Sequence, residues 1–255
     1  MLMITQYTQP ILHPHLPTPI YPTNIPQVPE PSRSLIRHES SQSITGTYTL
    51  HDLIDFSTSS GSISITVQLS DDILLNPRPS FSPTLKLSTK SGSLTLNFNS
   101  PRFSNVPLNH TTILKTVSGS CGARIAHGLS TSVTTTSGSQ SLNIYPSPSG
   151  NESYLTTTSS SGSQSIRVYD PVGAKLDHFK ASINTLGSAS LHIKYPKAWE
   201  GTVHASSAGS GSVNLHGSIE VDDLGKREKR GRRGVGATTE VRGLGSGSIN
   251  FYAER

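Results

Sequence analysis

The chain has little of what enzymes with thiol or metal chemistry, and membrane proteins, are built from. Its one cysteine in 255 residues is Cys121, which excludes an intramolecular disulfide and any metal centre made of several thiolates. Charged residues make up 15% and hydrophobic residues 32%, both low. No apolar run approaches the roughly 18 residues that a membrane-spanning helix requires. The opening "MLMITQYTQPILHPHLP" has neither a basic leader nor an apolar stretch of signal-peptide length. The expectation is a cytoplasmic protein, with nuclear residence as the alternative. Secretion would need an unconventional route or an incomplete N-terminus. Charge is scarce too once it is located. The run "KREKRGRR", Lys226 to Arg233, accounts for the whole net charge of +5, so there is one basic loop, 221–236, and no broad basic face.

Serine, threonine and glycine fill the gap, with 43 serines in all. Eight of the 17 prolines fall between Pro10 and Pro31. Proline lacks a ladder donor and biases its predecessor toward extended geometry, so residues 1–44 read as a disordered, proline-rich arm. Its PxxP spacings lack a nearby arginine to orient a ligand, and it reads as a linker.

Past this arm the sequence repeats. Ser-Gly-Ser or a near variant recurs with its glycine at Gly61, Gly92, Gly119, Gly138, Gly162, Gly187, Gly211 and Gly247, spaced 31, 27, 19, 24, 25, 24 and 36 residues apart. Two, four and six residues after the glycine the chain tends to be apolar, as in Ile63, Ile65 and Val67 or Leu94, Leu96 and Phe98; the positions between are polar. Period two marks strands with one buried face, and a second short extended piece precedes each glycine. These units predict an all-β fold over residues 45–255: a single-stranded parallel β-solenoid of about eight rungs. Rungs stack about 4.8 Å apart, so each corner needs a residue without a Cβ, and the glycines are expected to supply positive φ as well. On that reasoning Gly162→Val destabilises the stack through its φ. The strands in "GTYTLHDLIDF" and "SGSINFYAER" are the expected end caps, with the charged tail Glu254-Arg255 guarding an open edge.

The in-phase "SGS-h-x-h" rungs resemble the bacterial and fungal adhesin-like β-solenoid families of unknown function. "YPKAWEG" (Tyr195 to Gly201), followed by "GSGSVNLHG", is similar to the fungal branch. That resemblance implies a non-enzymatic protein and transfers no catalytic residue.

Candidate chemistry is sparse. A polysaccharide-cleaving solenoid needs carboxylates held together, whereas Asp71/Asp72 and Asp222/Asp223 fall in inserted loops and Asp55 and Asp177 are isolated. His192 and His216 share an offset from their glycines, which places them in one outward column on consecutive rungs, too few for a metal site. Cys121 takes an inward rung position and reads as core. Sequons at Asn109 and Asn151 matter only on a secretory route. Tyr195 and Trp199 are the aromatic pair suited to a glycan platform, although solenoid packing is preferred for them. Lys226, Arg227, Lys229, Arg230, Arg232 and Arg233 would serve as a nuclear-import address or a weak nucleic-acid contact in a flexible loop. The sequence therefore reads as a non-catalytic adhesin-like or scaffold module, without cofactor or metal, whose ligand is a protein or a glycan. The alternative is a nuclear or nucleic-acid-associated protein, and the third reading is a polysaccharide-acting enzyme.

Overall fold

The period-two pattern folds as it reads. The computed structural model describes residues 33–75, 82–99, 107–147, 151–171, 176, 178–187, 189–208, 211–234 and 236–254. The arm expected over residues 1–44 lies outside the described residues as far as residue 32. Each rung is a pair of strands. In chain order these are β1 (Ser34–Glu39) and β2 (Ile44–Leu50), then β3 (Leu53–Thr58) and β4 (Ile63–Leu69), then β5 (Thr84–Thr89) and β6 (Leu94–Phe98). Next come β7 (Thr111–Thr116) and β8 (Cys121–His127), β9 (Ser130–Thr135) and β10 (Gln140–Pro146), and β11 (Ser153–Ser159) and β12 (Gln164–Val168). The chain continues with β13 (Phe179–Thr185) and β14 (Leu191–Tyr195), then β15 (Gly201–Ser207) and β16 (Val213–Gly217). A hairpin follows, β17 (Glu220–Asp223) and β18 (Glu228–Arg233), and last β19 (Ala237–Gly243) and β20 (Ile249–Ala253). One helical turn, α1 (Asp71–Leu75), sits in the insertion after β4.

The first strand of every rung joins sheet A, an 11-stranded sheet that also takes in the hairpin; the second joins the 9-stranded sheet B. All pairings are parallel except those made by β18. The fold class is therefore the expected parallel β-solenoid, nearly all β. It has nine rungs among the described residues, not about eight, and the first begins at Ser34, ahead of the boundary expected at residue 45. Between the sheets lies one apolar core, with Ile63, Leu94 and Leu191 in one column of sheet B and Ile65, Leu96, Leu142, Ile166 and Ile193 in the next.

One edge of the solenoid is a row of tight corners. In the first six rungs four residues join the two strands, and the third of them is Gln42, Gly61, Gly92, Gly119, Gly138 or Gly162. A Cβ on Gly92 would stand 2.0 Å from the carbonyl oxygen of Gly61, and one on Gly162 2.3 Å from that of Gly138. Positive φ plays no part: in the described residues it occurs only at Gly46, Gly217, Gly225, Gly234 and Gly236. This corrects the φ argument made for Gly162. The corners at Gly61, Gly92, Gly119, Gly138 and Gly162 need glycine because the carbonyl of the rung before lies where a side chain would begin. Gln42 is tolerated because no rung of the sheet lies before it.

Hydroxyls finish several of the corners. Thr89 Oγ1 accepts the Gly92 N–H at 3.0 Å and donates to the Gly61 carbonyl at 3.0 Å; Thr58 does the same between Gly61 and Gln42. Ser62 Oγ accepts the Ser93 N–H, and Ser118 Oγ donates to the Lys90 carbonyl. Two rungs replace the first inward aliphatic residue with buried glutamines. Gln140 donates to Thr135 and to the Thr158 carbonyl, while Gln164 accepts from Thr157 and donates to the Asn184 carbonyl.

The last three rungs differ. Five residues, not four, join their strands. Leu191 pairs with Gln164 and with Ile249, so the corner position is Ala189, two residues beyond Gly187. Register thus moves the aligned position off Gly187, but Gly187 keeps the close approach expected of a corner: a Cβ there would stand 2.2 Å from the Ser160 carbonyl oxygen, and Gly211 and Gly247 each face a carbonyl oxygen at about 2 Å from the Cβ position. The stacking order is also not the chain order. β19–β20 lies between β13–β14 and β15–β16. To reach that slot from β18, the chain crosses the start of β15: the Ala237 N–H bonds the Glu200 carbonyl, and a Cβ on Gly201 would meet the Ala237 oxygen at 2.0 Å.

The ends follow from this order. β20 is interior, so "SGSINFYAER" is not the expected cap, and Glu254 pairs with Lys194 at 2.7 Å. The hairpin covers the far end of sheet A. At the near end the inward-facing parity of β1 carries Arg37 and Glu39, paired at 2.8 Å. Charges pointing inward along an edge strand discourage further pairing.

Candidate functional site

The basic run is a strand, which corrects the flexible loop expected over 221–236. β18 pairs on one side with β15 and on the other with β17, both antiparallel. Alternation along a strand splits the run between two faces. Gly231 is buried, because any side chain there would strike Ile219, Val203 and Leu215. Lys229 and Arg233 share its parity and are half-buried, and Arg233 Nη1 donates to the Glu254 carbonyl at 2.8 Å. Arg230 and Arg232 face outward, with the Arg230 side chain 60% exposed. Lys226 and Arg227 form the turn, and their carbonyls accept the N–H groups of Val213 and Ser207, which pins the turn to the adjacent rung.

Arg230 and Arg232 form one wall of a groove of about 420 Å³ on the outer face of sheet A. Its floor is β15, with Thr202 and His204; the other wall is β19, with Thr238 and Glu240; Asp222 closes the hairpin side. Register explains the assembly, since Glu240, His204, Arg230 and Asp222 lie in one row across four strands and Thr238, Thr202 and Arg232 in the next. His204 Nε2 lies 3.0 Å from Glu228 Oε1, and Arg242 pairs with Glu240. The groove offers guanidinium groups and hydroxyls to an anionic ligand, with carboxylates that accept hydrogen bonds from hydroxyl groups.

The other predicted residues fall elsewhere. Tyr195 and Trp199 are fully buried and present no platform, so the surface role is corrected and the packing reading holds. Their rings are 5.3 Å apart and both touch Phe251, while the Tyr195 hydroxyl meets Thr239 Oγ1 at 2.9 Å. Burial pushes the Tyr195 hydroxyl pKa up. Cys121 is buried as expected, its thiol pushed up to about 12 by desolvation, so it is held as a protonated core group. His192 and His216 are not on adjacent strands, because β20 intervenes and Tyr252 lies between them, 4.7 and 4.6 Å from the two rings. Among the described residues no cluster of three or more His, Cys, Asp or Glu has metal-binding geometry. Asp55 pairs with Lys86, Asp71 opens α1, and Asp177 is outside the described residues.

Two further features carry unusual side-chain groupings. On the outer face of sheet B, Tyr145 and Tyr169 stack at 4.3 Å, with Arg124 over the first ring and Arg167 over the second. Their common offsets from the corner glycines, five residues for the arginines and seven for the tyrosines, were the available signal. The rings lie against one another, so this wall shows edges and cations rather than open faces. In the core, His110 and His127 are fully buried. Desolvation lowers His110 to about 4; desolvation, then the neighbouring His110, lowers His127 to about 3. Both rings are therefore neutral at pH 7.

Compared with known proteins, the chain matches no family model, no curated protein and no solved structure. No helix among the described residues is long and apolar enough to cross a membrane.

Proposed function

We propose that the protein is a non-catalytic, adhesin-like interaction module that uses its nine-rung stack as a rigid wall and binds an acidic glycan in the groove along β15. The observation that carries this reading is the pair Arg230 and Arg232, held two residues apart by a strand paired on both sides, over a floor of hydroxyl and imidazole groups. Guanidinium groups projected from one strand face suit carboxylate or sulfate substituents, and Thr202, Thr238 and Glu240 suit sugar hydroxyls. A glycan is favoured over a nucleic acid because the groove lining holds no Phe, Tyr or Trp for base stacking, and its one ring, His204, is engaged with Glu228. The resemblance of the Ser-Gly-Ser rungs to adhesin-like families points the same way.

The test is binding to immobilised heparin and to polygalacturonate, with poly(U) as competitor. Arg230→Glu with Arg232→Glu is expected to abolish retention while thermal unfolding stays near that of the parent, since both side chains face outward. Retention unchanged by the double variant refutes the groove. Retention that poly(U) displaces and polygalacturonate does not transfers the site to the nucleic-acid reading.

A further inference from the structure

The order of the last rungs carries a second proposal, independent of the groove's ligand. The rungs flanking β19–β20 are in register with one another through it. In sheet A, Ser182 pairs with Glu240 and Glu240 with His204; Thr185 pairs with Gly243 and Gly243 with Ser207. In sheet B, Leu191 pairs with Ile249 and Ile249 with Val213. Inward parity is kept throughout, so β13–β14 and β15–β16 bracket a slot one rung wide that accepts β19–β20 by strand register and core fit alone.

Filling that slot from the same chain imposes a constraint that filling it from another copy does not. β18 and β19 lie on opposite sides of β15, so the connection must double back over the start of β15. There Gly234 and Gly236 have φ of 67° and 154°, values that side-chain-bearing residues rarely adopt. A short, bent connection ahead of a self-contained element is the arrangement that favours exchange between copies, because the bend relaxes when the element passes to a neighbour.

We propose that the slot accepts the β19–β20 rung of a second copy of this chain, giving a strand-exchanged dimer in which residues 237–253 of each copy complete the other's stack. Every contact of the rung, the close approach of Ala237 to Gly201 included, is retained in the exchange; only the bend at Gly234 and Gly236 is released.

The experiment uses full-length chains. One carries Ser182→Cys and a second carries Glu240→Cys. They are mixed in denaturant and refolded together in glutathione redox buffer over a range of concentrations, with a single chain carrying both substitutions in parallel. The expected result is an internal disulfide in the doubly substituted chain and a mixed-disulfide dimer from the mixture. Exchange is bimolecular and closure unimolecular, so the ratio of dimer to monomer rises about tenfold for a tenfold rise in concentration while monomer predominates. An internal disulfide at every concentration with no mixed dimer overturns the proposal. So does failure of the internal disulfide in a chain whose companion variant, Ser182→Cys with His204→Cys, does close, because the slot would then be shut. Closure of neither pair removes the slot itself.

Discussion

Gly92→Ala is the most direct perturbation of the corner geometry. The added Cβ would stand 2.0 Å from the Gly61 oxygen, 2.5 Å from its carbonyl carbon and 2.8 Å from the Ser62 nitrogen, all of them backbone atoms. Relief requires the two rungs to part by roughly 1 Å, in a stack whose spacing is about 4.8 Å. That movement takes hydrogen bonds of about 3 Å beyond useful length. The bonds at risk are Lys90 N–H to the Thr58 carbonyl, Ser91 N–H to the Ser59 carbonyl, Thr89 Oγ1 to the Gly61 carbonyl and Ser93 N–H to Ser62 Oγ. At about 0.5–1.5 kcal/mol each, the loss is roughly 2–6 kcal/mol, or roughly 5–20 °C in Tm for a domain of this size. Gly122 supplies the control. It lies inside β8 with nothing within 4 Å of its Cβ position, so Gly122→Ala is neutral or stabilising by up to about 1 kcal/mol. Thermal unfolding followed by circular dichroism reads both. Gly92→Ala melting within about 2 °C of the parent, below the range derived from hydrogen-bond loss, would refute the carbonyl-clash account.

Thr89→Val removes the acceptor of the Gly92 N–H and a donor to the Gly61 carbonyl, and is expected to cost about 1–3 kcal/mol by chemical denaturation. Trp199→Ala empties a fully buried site and is expected to cost about 3–5 kcal/mol; unchanged stability would contradict the burial of the indole. The buried histidines predict an acid-side loss of stability. Their folded pKa values lie below the unfolded value of about 6.5, so the unfolded chain takes up protons first. Their contribution is complete above about pH 6.5 and is lost as pH falls toward 4 for His110 and 3 for His127. Each histidine contributes a slope of up to about 1.4 kcal/mol per pH unit. His127→Leu should flatten the dependence of unfolding free energy between pH 4.5 and 6.5, and an unaltered slope would refute the assignment.

The stack was legible because two constraints act on every rung at once: period-two burial along the strand and a missing Cβ at the corner. Where one of them lapses, so does the reading. Gln42 escaped notice because the first rung has no preceding carbonyl to avoid. At the corner before β14 the two roles part: Ala189 takes the aligned position, while Gly187 makes the close approach to the Ser160 carbonyl, a division that a motif aligned on one glycine does not disclose. The interleaved order was invisible, since β15–β16 and β19–β20 are equally in register with β13–β14. Tyr195 and Trp199 stood out as scarce aromatics in a segment that looks like a loop. Their burial depends on neighbours far along the chain, Phe251 above all, with Ala253 beside Tyr195 on the next strand. The groove was half legible. Its cations were counted correctly, but their division between two faces is a property of the strand pairing that a run of charges does not disclose.

The interleaved rung also makes the stack mechanically asymmetric. Tension applied at Ser34 acts on an outermost rung held on one side only, and would unzip the stack rung by rung at low force. Tension applied at Ala253 must draw β20 out from between β14 and β16, and then β19 from between β13 and β15, loading two ladders together. A wall anchored through its C-terminal rung would therefore bear load, while one anchored at its first strand would peel.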